Sequence, residues 1–88
     1  MTKPVLDIFG RQECFLCDQA VELANRFSLS GTFYKVPEDV PVSWLKLNYP
    51  QFIDEHYVDG LALPIVLKDG ELLGGLRELL SFIADYQG

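Results

Sequence analysis

The chain holds two cysteines, Cys14 and Cys17, which bracket Phe15 and Leu16 in the stretch DIFGRQECFLCDQAVELANRF. A disulfide staple, half of a metal site and a redox centre all use two cysteines at this spacing, so the flanking residues must separate them. A staple closing so short a loop would constrain the unfolded chain little. A structural zinc site takes four Cys or His, and the only histidine, His56, lies far along the chain. No metal site is expected, and His56 is read as part of a solvated helix face.

The residues after the pair favour redox chemistry. Leu16, Ala20, Leu23, Ala24 and Phe27 share one face of a helix, while Asp18, Gln19, Glu22, Asn25 and Arg26 take the other. The cysteines therefore stand at a helix N-terminus, where unpaired N–H groups and the positive dipole end favour a thiolate. Cys14 is placed at or just before the first helical position, pointing to solvent, with Arg11 three residues earlier. Its pKa is expected to fall below that of a free thiol, with Glu13 and Asp18 opposing the shift. Cys17, one turn further, should be less exposed. Cys14 is assigned as the catalytic nucleophile and Cys17 as the thiol that resolves the mixed disulfide.

Composition sets the surroundings. Eighty-eight residues, 49% of them hydrophobic and 12% aromatic, fit one domain spanning 1–88 with a core of its own. The formal charge of −6 speaks against nucleic acid and anionic membranes as partners. No apolar run suits a signal peptide or a membrane span, so a cytoplasmic setting is expected, where such a pair is more often catalytic than structural.

The elements that must position the cysteines follow from periodicity and punctuation. VLDIF at 5–9 reads as a largely buried strand, and TFYKV at 32–36 as a second, introduced by a helix-ending turn at Ser30-Gly31. With the helix between them they form a parallel, right-handed βαβ unit. Between Pro37 and Gly60 a broken helix is expected: Ser43 as its cap, Trp44, Leu45 and Leu47 along it, Pro50 ending it, and a further turn through Phe52 and Ile53. IVLK and ELLG flank Asp69-Gly70, which predicts an antiparallel hairpin over 65–74 on a type I′ turn. Leu76, Leu79, Leu80, Ile83 and Ala84 then predict a final helix with one apolar face.

At this point the sequence resembles the dithiol glutaredoxins of the thioredoxin-fold family, among them the small bacterial and phage ones. IFGRQECFLCDQA is similar to the family's strand, basic residue and C-P-Y-C at a helix start. LALPIVLKDGELLGG is similar to its T-V-P, strand, turn, strand and Gly-Gly run. The resemblance implies an α/β thioredoxin fold, a four-stranded mixed sheet (β-α-β then β-β-α) flanked by helices. It makes Leu63-Pro64 a cis-proline dipeptide facing the cysteines, with the Leu63 backbone pairing to the cysteinyl part of glutathione. By the same resemblance the γ-glutamyl end rests at the Gly74-Gly75 helix start, with Glu78 meeting its amino group, and Arg11 meets the glycyl carboxylate. Phe15 joins Arg11, Leu63, Pro64, Gly75 and Glu78 in this substrate site; Phe15, Leu16 and the loop near Leu63 form the apolar surface expected to meet partners.

The implied activity is glutathione-dependent thiol–disulfide exchange, with no permanently bound cofactor and glutathione as reductant. The partners are glutathione and disulfide-containing proteins, for example ribonucleotide reductase, and the protein is expected to act as a monomer. Recharging by thioredoxin reductase, a glutathione-ligated iron–sulfur carrier and a non-redox adaptor stand as alternatives. The sequence departs from the family in lacking the Pro and Tyr of C-P-Y-C, in Ala62 for Thr, and in Arg77 at an acidic position, while 37–60 aligns with nothing. Asp7 is one residue out of step with a buried thioredoxin carboxylate and is expected at a surface or sheet edge rather than as a base.

Overall fold

A computed structural model describes residues 3–29 and 31–87. Strand β1 (Leu6–Gly10) leads into helix α1 (Phe15–Arg26) and strand β2 (Phe33–Lys35). Helix α2 (Val42–Asn48) and a 3-10 turn (Pro50–Phe52) follow, then strands β3 (Ile65–Lys68) and β4 (Glu71–Gly74) and helix α3 (Leu76–Gln87). The sheet order is β2-β1-β3-β4, with β1 parallel to β2 and the other neighbours antiparallel. This is the expected mixed sheet. The β3–β4 hairpin turns through Asp69 and Gly70, both at positive φ (52° and 85°), as a type I′ turn requires.

Strand alternation sends side chains to two different cores. On one face, Leu6, Ile8 and Val66 pack with Ala20 and Ala24 of α1 and Leu79 and Ile83 of α3. On the other, Phe9 and Ile65 pack with Cys17, Val36, Leu45, Leu61 and Leu63. Both helices bury stripes rotated from the expected ones. In α1 the line is Cys17, Ala20 and Ala24, leaving Leu16 40% exposed; in α3 Leu79 and Ile83 point inward while Leu80 and Ala84 are exposed. Period 3.6 defines an apolar sector but not which of two adjacent residues faces the sheet; that choice belongs to tertiary packing.

Helix α1 stops at Arg26, with Ser28 in the left-handed region (φ 56°), so the chain turns before the expected Ser30-Gly31 signal, of which Ser30 lies outside the described residues. The middle segment is broken helix, but Ser43 is not its cap. Pro41 holds that position without a side-chain hydrogen bond, since extended backbone there meets the helix and no proline N–H is needed. His56 belongs to a loop and not to a helix, and is exposed. Asp7 is half-buried on the central strand β1 and not at an edge; its Oδ1 accepts the Thr32 N–H at 3.1 Å. Among the described residues, no helix is long and apolar enough to cross a membrane.

Candidate active site around Cys14 and Cys17

Strand β1 ends at Gly10, the residue that lets the site close up. A Cβ built there would lie 2.9 Å from Cys17 Cβ and 3.0 Å from Cys17 Sγ, so any side chain would push α1 off the strand. The chain then turns through Glu13, at φ 56°, into Cys14. Cys14 is the N-cap of α1, extended at φ −112° and ψ 110°, and its Sγ accepts the Cys17 N–H at 3.2 Å. Cys14 and Cys17 form a disulfide with Cα atoms 5.2 Å apart.

The two sulfurs differ in surroundings. Cys17 is fully buried, whereas Cys14 is half-exposed at the edge of the same apolar cluster and is followed by Phe15, 73% exposed. Leu61, Leu63 and Ile65 belong to that cluster, which brings the segment before β3 beside the disulfide. The Leu63–Pro64 bond is cis, and so is Val36–Pro37, which nothing in the sequence announced. Around Leu63 the backbone is otherwise committed: the Leu61 carbonyl accepts from Arg11 and the Ala62 N–H donates to Phe52. Among the described residues, neither the N–H nor the C=O of Leu63 has a hydrogen-bond partner.

Gly75 reaches the site through Pro64, whose carbonyl oxygen would lie 3.4 Å from a Cβ on that glycine. Its carbonyl accepts the Leu79 N–H at 3.0 Å, and its own N–H donates to Glu78 Oε1 at 2.7 Å. Glu78 thus forms the returning half of a capping box at the start of α3. At Gly74 (φ 142°) a Cβ would lie 2.6 Å from Glu78 Cβ, so this glycine is where the strand-to-helix turn is packed tightly.

Arg11 is engaged by a residue that sequence reasoning missed. Its Nε donates to Asp59 Oδ2 at 3.1 Å and its Nη2 to Asp59 Oδ1 at 2.6 Å, while Nη2 also donates to the Leu61 carbonyl at 2.8 Å. The guanidinium sits 5.6 Å from the centre of the Tyr57 ring. Asp59 Oδ1 also accepts the Leu61 N–H at 3.2 Å, so one carboxylate ties the loop to the end of β1. Asp59-Gly60 is a legible turn dipeptide, but no local signal pairs it with an arginine 48 positions away. In the same loop Asp54 is held below the usual carboxylate range, chiefly by the His56 backbone N–H and then by its ring.

The structure therefore gathers Arg11, Cys14, Phe15, Cys17, Leu63, Pro64, Gly75 and Glu78 around one end of the sheet, while two carboxylates of the chain itself occupy the donors there, Asp59 on Arg11 and Glu78 on the Gly75 N–H. A groove of about 380 Å³ lined by Asp7, Phe9, Tyr34, Asp39, Trp44 and neighbouring residues includes neither cysteine.

No protein-family model matches the chain, and no curated protein sequence matches it. Among solved structures it is similar to glutaredoxin 1 from Francisella tularensis, crystallised in complex with cacodylate, with a TM-score of 0.62 over 96% of each chain at 16% identity. The protein thus has the thioredoxin-type fold of a glutaredoxin, with its own cysteine pair at the start of α1.

Proposed function

We propose that the protein is a thiol–disulfide oxidoreductase in which Cys14 exchanges with substrate disulfides and Cys17 resolves the product. In the reduced protein the Cys14 thiolate is favoured by the Cys17 N–H and the start of α1. It attacks one sulfur of a substrate disulfide, forming a Cys14 mixed disulfide and expelling the other sulfur as a thiolate, which takes a proton. The Cys17 thiolate then attacks Cys14 Sγ, closing the intramolecular disulfide and releasing the second substrate thiol. The substrate gains two electrons. Two molecules of glutathione return the pair to dithiol and leave as glutathione disulfide.

The observation that carries this reading is the inequality of the two sulfurs, one at the half-exposed N-cap and one fully buried, beside a Leu63 backbone whose polar groups are both unclaimed among the described residues. An extended segment bearing a disulfide can pair with that N–H and C=O as an added strand would. Phe15 and Leu16 supply exposed apolar surface next to the nucleophile. A reducing, cytoplasmic setting and a monomeric enzyme acting on protein disulfides complete this reading.

A second reductant is favoured by one contact. With Asp59 on Arg11, the cation beside the cysteines is already paired, which suits recharging by thioredoxin reductase. The test supplies each reductant separately to wild type and to Cys17→Ser. Turnover of a glutathione mixed disulfide in both proteins supports the first reading. Turnover only with thioredoxin reductase, and only in wild type, selects the second, and inactivity of folded, reduced wild type with both would refute the proposal.

A further inference from the structure

Arg11 is the only basic residue between Lys3 and Arg26, and it stands directly after the Gly10 that contacts Cys17. Any disulfide substrate bearing a carboxylate near its sulfur would be drawn to it. The seat is taken. Asp59 binds the guanidinium through both of its oxygens, in the fork geometry a ligand carboxylate would use, and both side chains are 25% exposed. Tyr57 and the Leu61 carbonyl hold the cation from other sides, so Arg11 is fixed in place and not searching solvent. Only the two Nη1 hydrogens are without a partner among the described residues.

We propose that Asp59 is a specificity-determining residue, an internal carboxylate that a carboxylate-bearing disulfide must displace from Arg11 before it can use that cation. The inference rests on the oxidoreductase reading above and names the substrate class within it: disulfides in uncharged or basic extended segments are preferred to small anionic ones such as those of glutathione. The remaining charge agrees, because Glu13 and Asp18 flank the cysteines and the whole chain carries −6. A substrate without a carboxylate at this position leaves the Arg11–Asp59 pair intact and meets the site through Leu63, Phe15 and Leu16.

The test compares wild type with Asp59→Asn, which keeps an acceptor for the Leu61 N–H but loses the charge. Asp54→Asn, in the same loop with no contact to Arg11, controls for net charge. Binding of S-methylglutathione and of its diethyl ester, which has no free carboxylate, is measured by calorimetry, and needs no turnover. Loss of an ion pair of this exposure should tighten S-methylglutathione binding roughly fivefold in Asp59→Asn alone and leave the ester unchanged. The same factor should appear in KM for the mixed disulfide of glutathione and 2-mercaptoethanol, but not for bis(2-hydroxyethyl) disulfide. No tightening in Asp59→Asn, equal tightening of the ester, or an equal effect in Asp54→Asn would overturn the proposal. Absence of turnover in every variant would instead refute the oxidoreductase reading, with the calorimetry still deciding the role of Asp59. Thermal melting checks the fold, and Asp59→Ser replaces Asp59→Asn if that variant unfolds.

Discussion

The two faces of the sheet are built from different materials. Under α1 and α3 the core is Leu6, Ile8, Ala20, Ala24, Val66, Leu79 and Ile83, side chains from regular strands and helices, with Leu29 the one loop contribution. The opposite face takes Val36, Leu61 and Leu63 from irregular backbone, buries Cys17 among them, and carries the Arg11–Asp59 pair at its rim. The first face is closed by periodic apolar stripes, and its buried cluster among the described residues is wholly apolar. The second tolerates turns, cis prolines and, at Leu63, a backbone with no hydrogen-bond partner among the described residues, and there the half-exposed Cys14 stands. On the proposed function, the chemistry is thus confined to one face of a sheet only four strands wide.

The largest effects should come from the sulfurs. Cys14→Ser should abolish disulfide reduction, because no other thiol is exposed to attack. Cys17→Ser should spare reduction of glutathione mixed disulfides, where glutathione can resolve the intermediate, and lose reduction of protein disulfides. A stopped assay with both substrate types distinguishes these outcomes. Appreciable activity in Cys14→Ser would break the assignment of the second face as the reactive one.

Next in size are deletions in each core. Leu79 and Leu61 are both fully buried, and either leucine-to-alanine change should cost about 2–5 kcal/mol in denaturant unfolding. The faces should differ in what else is lost. Leu79→Ala leaves exchange per folded molecule at its wild-type rate, whereas Leu61→Ala slows it, since the Leu61 side chain shares one packed cluster with Cys17 and Leu63. Equal exchange rates in the two variants would remove the distinction between the faces.

The same division decides what the sequence could disclose. The βαβ unit, the Asp69-Gly70 hairpin and the last helix rest on local periodicity and turn chemistry, and all three form where the residues place them. The asymmetry of Cys14 and Cys17 was legible because helix geometry alone puts one a turn deeper than the other. The rotated stripes in α1 and α3 were not, because only the facing strands choose between Leu16 and Cys17, or between Leu79 and Leu80. Least legible were the two carboxylates that claim the site's donors. By the resemblance Glu78 is expected to meet a ligand's amino group, and its bond to the Gly75 N–H forms only once the turn places it; Asp59 meets Arg11 only when β1 and the loop before β3 come together.

A smaller effect is expected at the boundary between the faces. Glu78 accepts the Gly75 N–H, so Glu78→Ala should cost about 0.5–1 kcal/mol through the lost cap, while Glu78→Gln retains an acceptor and should cost less. Amide exchange at Gly75 provides the local readout. It should accelerate in the alanine variant and stay near wild type with glutamine. Equal acceleration in both would mean that the charge at the start of α3, and not the hydrogen bond, sets protection there.

The smallest effect concerns the loop that carries Asp59. Asp54 is exposed enough that its contribution is slight, yet its sign is fixed. Its carboxyl titrates lower in the folded protein than in the unfolded chain, so any stabilisation it gives is present above the unfolded value and is lost as pH falls through the folded one. The principal cause is the His56 backbone N–H at 2.9 Å, with the ring contact at 2.8 Å second, so removing the imidazole should not remove the shift. In a carbon-detected titration, His56→Ala should therefore move the Asp54 midpoint only part of the way back toward an ordinary carboxylate. A complete return would make the ring the main partner and would tie this loop to the protonation of histidine. A partial return leaves the loop conformation set by the Asp54–His56 backbone hydrogen bond through neutral pH.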